Sequence, residues 1–491
     1  MHTDVIIIGS GFSGIGAAIR LKKNNYSICV LEREKEVGGT WRDNQYPGIA
    51  VDITSFTYSY DFEQNPNWSR VFAPGSELFD YANNCVDKYN IRQYFNFNCN
   101  VISASFDEVK KIWAVKLSDE RIFSSRFLIS ATGALTDPKM PDIKGLSTFE
   151  GKIIHTAKWD KKYDLSGKNV AVIGTGATSV QLVPAIAPTV AHLKVFQRTP
   201  IWIFPKPDSE IPKQLKQLFS ILPFAQSSIR KITDIITEQI MVSSVVNYKK
   251  YFLAIKALEA FCKLHIQQQV KDKSLIAKLT PQYGFGCKRP SFSSDFYPTF
   301  NRTNVELITE KIIEIVPNGI KTIDGKSHKI DTLIAATGFK VMENSNILNY
   351  KVFGKGGKEL GEFWSNNRLQ AYHGSTIPEF PNFFTIVGPY SASGLSWFDM
   401  IDIQLNHIIR VLNENRRRNT NGIEIKASEH QKYFEFILEK QKNTVFYNNN
   451  CATSNSYYFD KFGDAPFLRP LSVSASRKYS LNSDLEHYNY L

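Results

Sequence analysis
Residues 4–32 read DVIIIGSGFSGIGAAIRLKKNNYSICVLE, and this stretch decides how the chain begins to fold. A continuous apolar run leads into Gly9, Gly11 and Gly14, and the residues that follow carry apolar side chains at helical spacing. A second apolar run ends at Glu32, eighteen residues after Gly14. Strand, glycine turn, helix, strand and acid in that order make a βαβ unit. The first glycine permits the tight turn, the second lets a pyrophosphate approach the backbone, and the third lets helix pack on strand. The helix N-terminus adds free N–H groups and the positive end of its dipole. Glu32 suits a ribose hydroxyl. With Phe12 and Ser13 completing the GSGFSG turn, the unit predicts a dinucleotide site, whereas the glycine string by itself would be a plain tight turn.

The pattern restarts at Lys168. NVAVIG reads as a strand, GTGATS as the turn (Gly174, Gly176, Ala177, Thr178, Ser179), VQLVPAIA as the helix and LKVFQR as the next strand. Here Ser179 stands in the third glycine's place, and the strand leads to Arg198 and Thr199 instead of an acid. An acid would repel a 2′-phosphate and Arg198 attracts one, so the second loop points to NADPH and the first to FAD. The plainer alternative is that Arg198 is a solvated surface cation. Each copy closes on a strand that ends in ATG, 123 residues from Gly9 to Thr132 and 163 from Gly174 to Thr337. The second copy therefore carries an insertion.

That insertion, residues 206–280, lacks strand alternation and reads as amphipathic helices such as KYFLAIKALEAFCKLHI between prolines. FFTIVGP at 383–389 reads as one more buried strand, followed by a helix from Trp397, which returns the chain to the first unit. The predicted fold is α/β, with two Rossmann-like dinucleotide-binding domains and a helical insertion in the second. Residues 1–140 with 340–491 form the FAD domain, 141–205 with 281–339 the NADPH domain, and 206–280 the insertion. The last fifty residues read as a surface-wrapping tail.

A length of 491 residues suits two or three domains, at about 100 to 200 residues each. Hydrophobic residues at 43% and charged ones at 22% are globular values and exclude a disordered or fibrous class. The net charge is +12, and residues 206–278 alone hold twelve Lys or Arg against six Asp or Glu. No nucleic-acid-binding module accompanies that charge, so an anionic cofactor or an acidic membrane surface is the expected partner. The six cysteines form no CxxC pair and no metal-ligand spacing, so no metal is expected and all six read as reduced thiols of a cytoplasmic protein. A strand begins almost at once, with no room for a signal peptide, and no apolar run reaches the roughly eighteen residues of a spanning helix. Peripheral membrane contact stays open.

Fourteen residues ahead of Gly174 the segment FEGKIIHTAKWD ends, lying between the two glycine loops. Phe149, Gly151, His155, Trp159 and Asp160 match FxGxxxHxxxW[P/D] at every specified position, and in this the chain resembles the type I Baeyer–Villiger monooxygenases, class B flavoproteins that use FAD and NADPH. GGTW (residues 38–41), YPGIAVD (46–52), VFQRTP (195–200), GCKRP (286–290) and AATGF (335–339) look like family blocks in family order. The resemblance implies that NADPH reduces FAD, that reduced flavin and O₂ give a C4a-peroxide, and that this attacks a ketone to yield an ester or lactone. It further implies Arg289 as the fixed cation for the developing negative charge, Asp52 as the carboxylate that orients it, and Lys288 for the NADPH 2′-phosphate. Gly39, Thr40, Trp41 and Asp52 join the FAD site. His155 is implied as a link between domains, not an acid or base. Where the family commonly has a Trp near the nicotinamide ribose, this chain offers Tyr457 or Tyr458. An N- or S-oxygenating flavin monooxygenase and a non-catalytic flavin- and NADPH-binding sensor are the alternatives.

Overall fold
The computed structural model describes residues 2–341 and 348–491; residues 342–347, which the sequence assigns to the return into the first unit, lie outside the described residues. The opening strand, His2–Ile8, pairs in parallel with Ile28–Leu31 on one side and Ile122–Ser130 on the other. Val5 to Ile8 are buried because helices or loops cover both faces of the sheet, as a parallel strand requires. Between the first two strands runs the helix Phe12–Lys23, which buries Ile15, Ala18 and Ile19 and places Arg20, Lys22 and Lys23 in its last turn, at the negative end of its dipole. The sheet extends through the antiparallel strands Ile112–Leu117 and Val101–Asp107 to Lys351–Phe353, and ends at Phe95–Asn96 on its other edge. Phe383–Thr385 joins it in parallel beside Ile122–Ser130, and the long helix Trp397–Arg417 then crosses back onto Phe12–Lys23.

A second, five-stranded sheet is parallel throughout, in the order Val305–Ile308, His192–Phe196, Asn169–Ile173, Thr332–Ala335, Lys152–His155. The helix Ala177–Ile186 follows its central strand as Phe12–Lys23 follows His2–Ile8. Two backbone passes join the sheets and bond to each other: Lys139 N donates to Gly338 O at 2.9 Å, and Pro138 bridges Phe339.

The strands Ile203–Phe204 and Ser291–Phe292 pair in parallel, so the chain leaves the second unit and re-enters it at one place. Between them stand the helices Lys213–Ile221, Pro223–Thr237, Tyr248–Gln269 and Lys273–Leu279, with a π-helical turn at Glu238–Ser243. The tail is built into the body: Tyr488–Tyr490 pairs with Ile423–Ile425, and the buried Tyr488 hydroxyl meets His407 Nε2 at 2.7 Å.

The cysteine expectation is corrected here. Cys287 and Cys451 form a disulfide across 164 residues, while Cys29, Cys85, Cys99 and Cys262 are free and buried. No spacing rule reports such a pair, because only the folded chain brings the tail beside residues 284–289, where Gly284 N also donates to Asn450 O. Among the described residues no helix is long and apolar enough to cross a membrane, and no group of His, Cys, Asp and Glu is arranged to hold a metal ion.

Candidate active site
Both glycine loops are closed from behind by the same device. Gly9 has φ +103°, and a Cβ there would lie 2.6 Å from the carbonyl oxygen of Ala131; Gly174 has φ +108°, and its Cβ would lie 2.6 Å from that of Ala336. Each first glycine is thus pressed against the end of its own ATG strand. In the first loop a Cβ on Gly14 would sit 1.9 Å from Gly9 O, so only glycine fits. In the second, Ser179 donates its hydroxyl to Gly174 O at 2.7 Å and meets the same carbonyl with a hydrogen bond. Gly11 and Gly176 cap the two helices with no side-chain hydrogen bond, leaving the first-turn N–H groups for a ligand, and among the described residues nothing lies within 4 Å of a Cβ built on Gly176.

A cavity of about 400 Å³ opens over the first loop. Gly9, Gly11, Phe12, Ser13, Glu32, Gly39, Thr40, Trp41 and Asp52 line it, together with Ala177 and Thr178 of the second loop, Arg289, Tyr457 and Tyr458. Gly14 lies beneath the turn instead, and Gly174, Gly176, Ser179, Arg198, Thr199 and Lys288 are not among its walls. Glu32 is buried and fully engaged in shaping the loop: Oε2 accepts from Ser10 N and Oγ at 2.9 and 2.6 Å, and Oε1 lies 3.3 Å from Arg42. Thr199 holds Thr175 through its carbonyl and accepts from Asn455 at its hydroxyl, which docks the tail on the second loop. Burial lowers the Lys288 pKa, and the nearby Arg198 charge lowers it further.

Arg289 Nε donates to Asp52 Oδ2 at 2.9 Å. Burial would raise the Asp52 pKa, but the Arg289 charge and hydrogen bond hold it below the usual carboxylate range. Asp52 in turn raises Arg289, against the opposing effect of burial. Both groups are ionised near neutrality. The bond engages Nε, so the Nη groups are the part of the fork available to a neighbouring oxyanion. Arg289 and Tyr458 also wall a second, apolar cavity of about 70 Å³. Its far side comes from the insertion, through Thr237, Met241, Val242, Val245 and Val246.

The FEGKIIHTAKWD residues line neither cavity. A Cβ on Gly151 would strike the Phe149 ring and Asp331 O, so the pair forms a folded edge beside Lys152–His155. His155 Nδ1 accepts from Ala157 N at 3.1 Å, and the backbone of Gly338 and Lys139, one from each inter-sheet pass, lies against its ring. Burial lowers its pKa. Trp159 packs on the second core, and Asp160 pairs with Lys152 at 2.9 Å.

Sequence reasoning missed several residues around the site. Tyr58 accepts from Trp41 Nε1 at 3.3 Å, Lys206 adds a second positive charge near Asp52, and Tyr46 and Ala50 grip Gln181 of the second unit's helix. The YPG block carried a signal for the last of these, because Gly48, at φ +83°, lets the backbone approach Gln181 O. Arg469 lines the apolar cavity, buried, with Nε and Nη2 lacking hydrogen-bond partners among the described residues.

Residues 6–247 match the family model described as pyridine nucleotide-disulphide oxidoreductase. A Baeyer–Villiger monooxygenase of Pseudomonas aeruginosa is 36% identical over 92% of this chain and 85% of its own length. One of Streptomyces coelicolor is 34% identical over 100% of this chain and 93% of its own length. Among solved structures, OTEMO in complex with FAD and NADP superposes with a TM-score of 0.86 at 28% identity, covering 100% of this chain and 99% of that one. An oxidised steroid monooxygenase bound to NADP gives a TM-score of 0.87 at 26% identity with the same coverage.

Proposed function
Because the chain belongs to the Baeyer–Villiger monooxygenase family, we propose that it is an FAD-dependent, NADPH-consuming enzyme that inserts one atom of O₂ beside a ketone carbonyl, giving an ester or lactone. The observation that carries this reading is Arg289, ionised, paired with Asp52 and standing at the wall shared by the two cavities. Residues 1–140 with 340–491 hold the flavin, 141–205 with 281–339 hold the nicotinamide cofactor, and 206–280 close the apolar side.

The fit to two dinucleotides rests on helix N-termini without side-chain caps, on the open space at Gly176, and on a cavity within the roughly 300–1,000 Å³ typical of ligand sites. Bound flavin, reduced by NADPH, supplies the oxygen-activating chemistry. Gly9, Gly11 and Ser13 present backbone to its diphosphate, while Glu32 fixes the turn that receives the ribose. Gly176, Ala177 and Thr178 offer the second helix N-terminus, and Arg198 with Lys288 take the 2′-phosphate, whose charge relieves their mutual repulsion. Arg289 faces the carbonyl oxygen as negative charge builds on it, with the guanidinium pre-aimed by Asp52 so that little reorganisation is needed at the moment of reaction. The apolar cavity takes the ketone's hydrocarbon body and excludes water. His155 transmits movement between the inter-sheet passes and takes no part in proton transfer.

The test is to reduce the purified yellow protein with NADPH without oxygen, admit oxygen, and follow a ketone panel by product mass. A gain of one oxygen atom as an ester is expected. Oxidation confined to amines or sulfides overturns the reading, as does a protein that carries no flavin.

A further inference from the structure
The helix Pro223–Thr237 is built inside out. Its protein-facing side, beside Ala225 and Ile229 on the core, is anchored by polar groups: Arg230 is buried and donates to Ser59 O at 2.8 Å, Gln226 donates to Asn65 O at 2.7 Å, and Asp234 accepts from Thr57 at 2.8 Å. Its solvent side is apolar. Phe224 is 80% exposed, Ile232 59%, Ile235 62% and Ile236 53%, and the stripe runs on through Ile240 of the π-helical turn. A helix on the surface of a globular protein normally shows the opposite arrangement, with its apolar stripe toward the core. The preceding helix extends the stripe through Ile221 and Leu222, and Tyr248–Gln269 carries another, with Leu253, Phe261 and Leu264 exposed at helical spacing. Single exposed apolar residues are ordinary on protein surfaces, but contiguous rows of them are not.

Charge tells what covers these rows. Lys213, Lys216 and Lys231 accompany the first, Lys249 and Lys250 stand exposed in the first turn of Tyr248–Gln269, and Lys256 and Lys263 border the second. The insertion's acids are largely spoken for: Asp234 by Thr57 and Arg230, Glu238 by Ser474, and Glu259 by Lys256 and Lys263. An apolar face fringed by lysines matches a bilayer interface that carries anionic headgroups. We propose that the exposed face of residues 213–264 docks this protein on an anionic lipid surface, with the isoleucine stripe at the acyl boundary and the lysines at the headgroups. Ile240 lies on that face, and the next residues, Met241 and Val242, line the apolar cavity, so the docked insertion places the cavity wall within a turn of the lipid. Resting on the proposed reaction, the substrates are then ketones that partition into membranes. The docking itself does not depend on the reaction.

The experiment is cosedimentation of the full-length, flavin-loaded protein with phosphatidylcholine vesicles, with and without phosphatidylserine, at low and high salt. The protein pellets with the anionic vesicles and is partly released by salt. Each lysine near an anionic surface is worth about fivefold, so the Lys249→Gln/Lys250→Gln variant partitions about 30-fold more weakly. Ile232→Ser/Ile236→Ser removes two exposed apolar side chains, and binding drops roughly 100-fold. Flavin content and ketone-independent NADPH consumption are read on the same samples and stay at the parent level, which separates lost docking from lost folding or lost chemistry. Three outcomes overturn the proposal: no pelleting with anionic vesicles, equal pelleting of parent and both variants, or a parent dimer that the isoleucine variant turns into a monomer, which would make a second copy of the chain the occupant.

Discussion

Removing Arg289 separates a catalytic cation from a structural one, because the two roles predict different magnitudes. Opposite charges about 4 Å apart attract by about 4 kcal/mol at an effective dielectric of 20. Arg289 and Asp52 are each about one-third exposed, and solvent screening brings such a pair down to the order of 1 kcal/mol. If the pair served only to hold two segments together, Arg289→Ala would cost about that much, a fivefold effect at most. A preorganised donor at a developing oxyanion is worth about 10² to 10³ in rate. We therefore expect Arg289→Ala to bind flavin normally, to keep a denaturation midpoint near that of the parent, and to lose ester formation by at least about 10². Asp52→Ala leaves Arg289 charged but unaimed and slows the reaction by about tenfold, and adding it to Arg289→Ala has little further effect, because Asp52 works through its partner. Ester formation is followed by product mass under single turnover, beside flavin absorbance and urea melts. A loss of fivefold or less in Arg289→Ala, or a double variant in which the two losses multiply, refutes the assignment.

Gly14→Ala drives a Cβ to within 1.9 Å of Gly9 O, so the first loop opens and the protein purifies without flavin; a stoichiometrically yellow variant would contradict the loop geometry. Arg198→Ala and Lys288→Met each raise the KM for NADPH by about tenfold while leaving the KM for NADH unchanged, since each removes one charge from the 2′-phosphate; parallel rises for both cofactors would place these cations elsewhere. Burial lowers the His430 pKa to about 4, so as pH falls from about 6.5 the unfolded chain takes the proton first. The stabilisation is whole above about pH 6.5 and is lost as pH falls toward 4, amounting to about 2 kcal/mol by pH 5. Urea midpoints fall more steeply between about pH 7 and pH 5 in the parent than in His430→Leu, and equal slopes would refute the assignment.

The two glycine units were legible because each is local: strand, turn and helix lie within about thirty residues, and every glycine reports a backbone constraint. Even the substitution at Ser179 was visible, although its compensation by a hydrogen bond to Gly174 O needed coordinates. Asp52 and Arg289 are 237 residues apart, and only the family blocks suggested that they meet. Tyr58 left no trace, since a cavity wall needs nothing of a residue but its position, and neither did Lys206, whose charge reaches Asp52 only in the folded chain. The Cys287–Cys451 bond escaped for the same reason. The insertion failed differently: periodicity reveals that a helix has an apolar side, but not whether that side faces in or out. Arg230 and Gln226 are among the residues that anchor the helix to the body.

The abutment of Gly9 on Ala131 and of Gly174 on Ala336 bears on how the chain is made. Neither phosphate loop is complete when its own strand and helix leave the ribosome. Counted from its glycine, the first waits through 122 residues to Ala131, and the second through 162 to Ala336 because the insertion comes between. Until those late strands dock, each loop lacks the surface that holds its glycine in place, and the nascent halves have no finished cofactor cradle. Truncating the gene anywhere before Ile122 removes the closing strand outright, so cofactor binding in this protein belongs to whole domains and not to the motif that announces them.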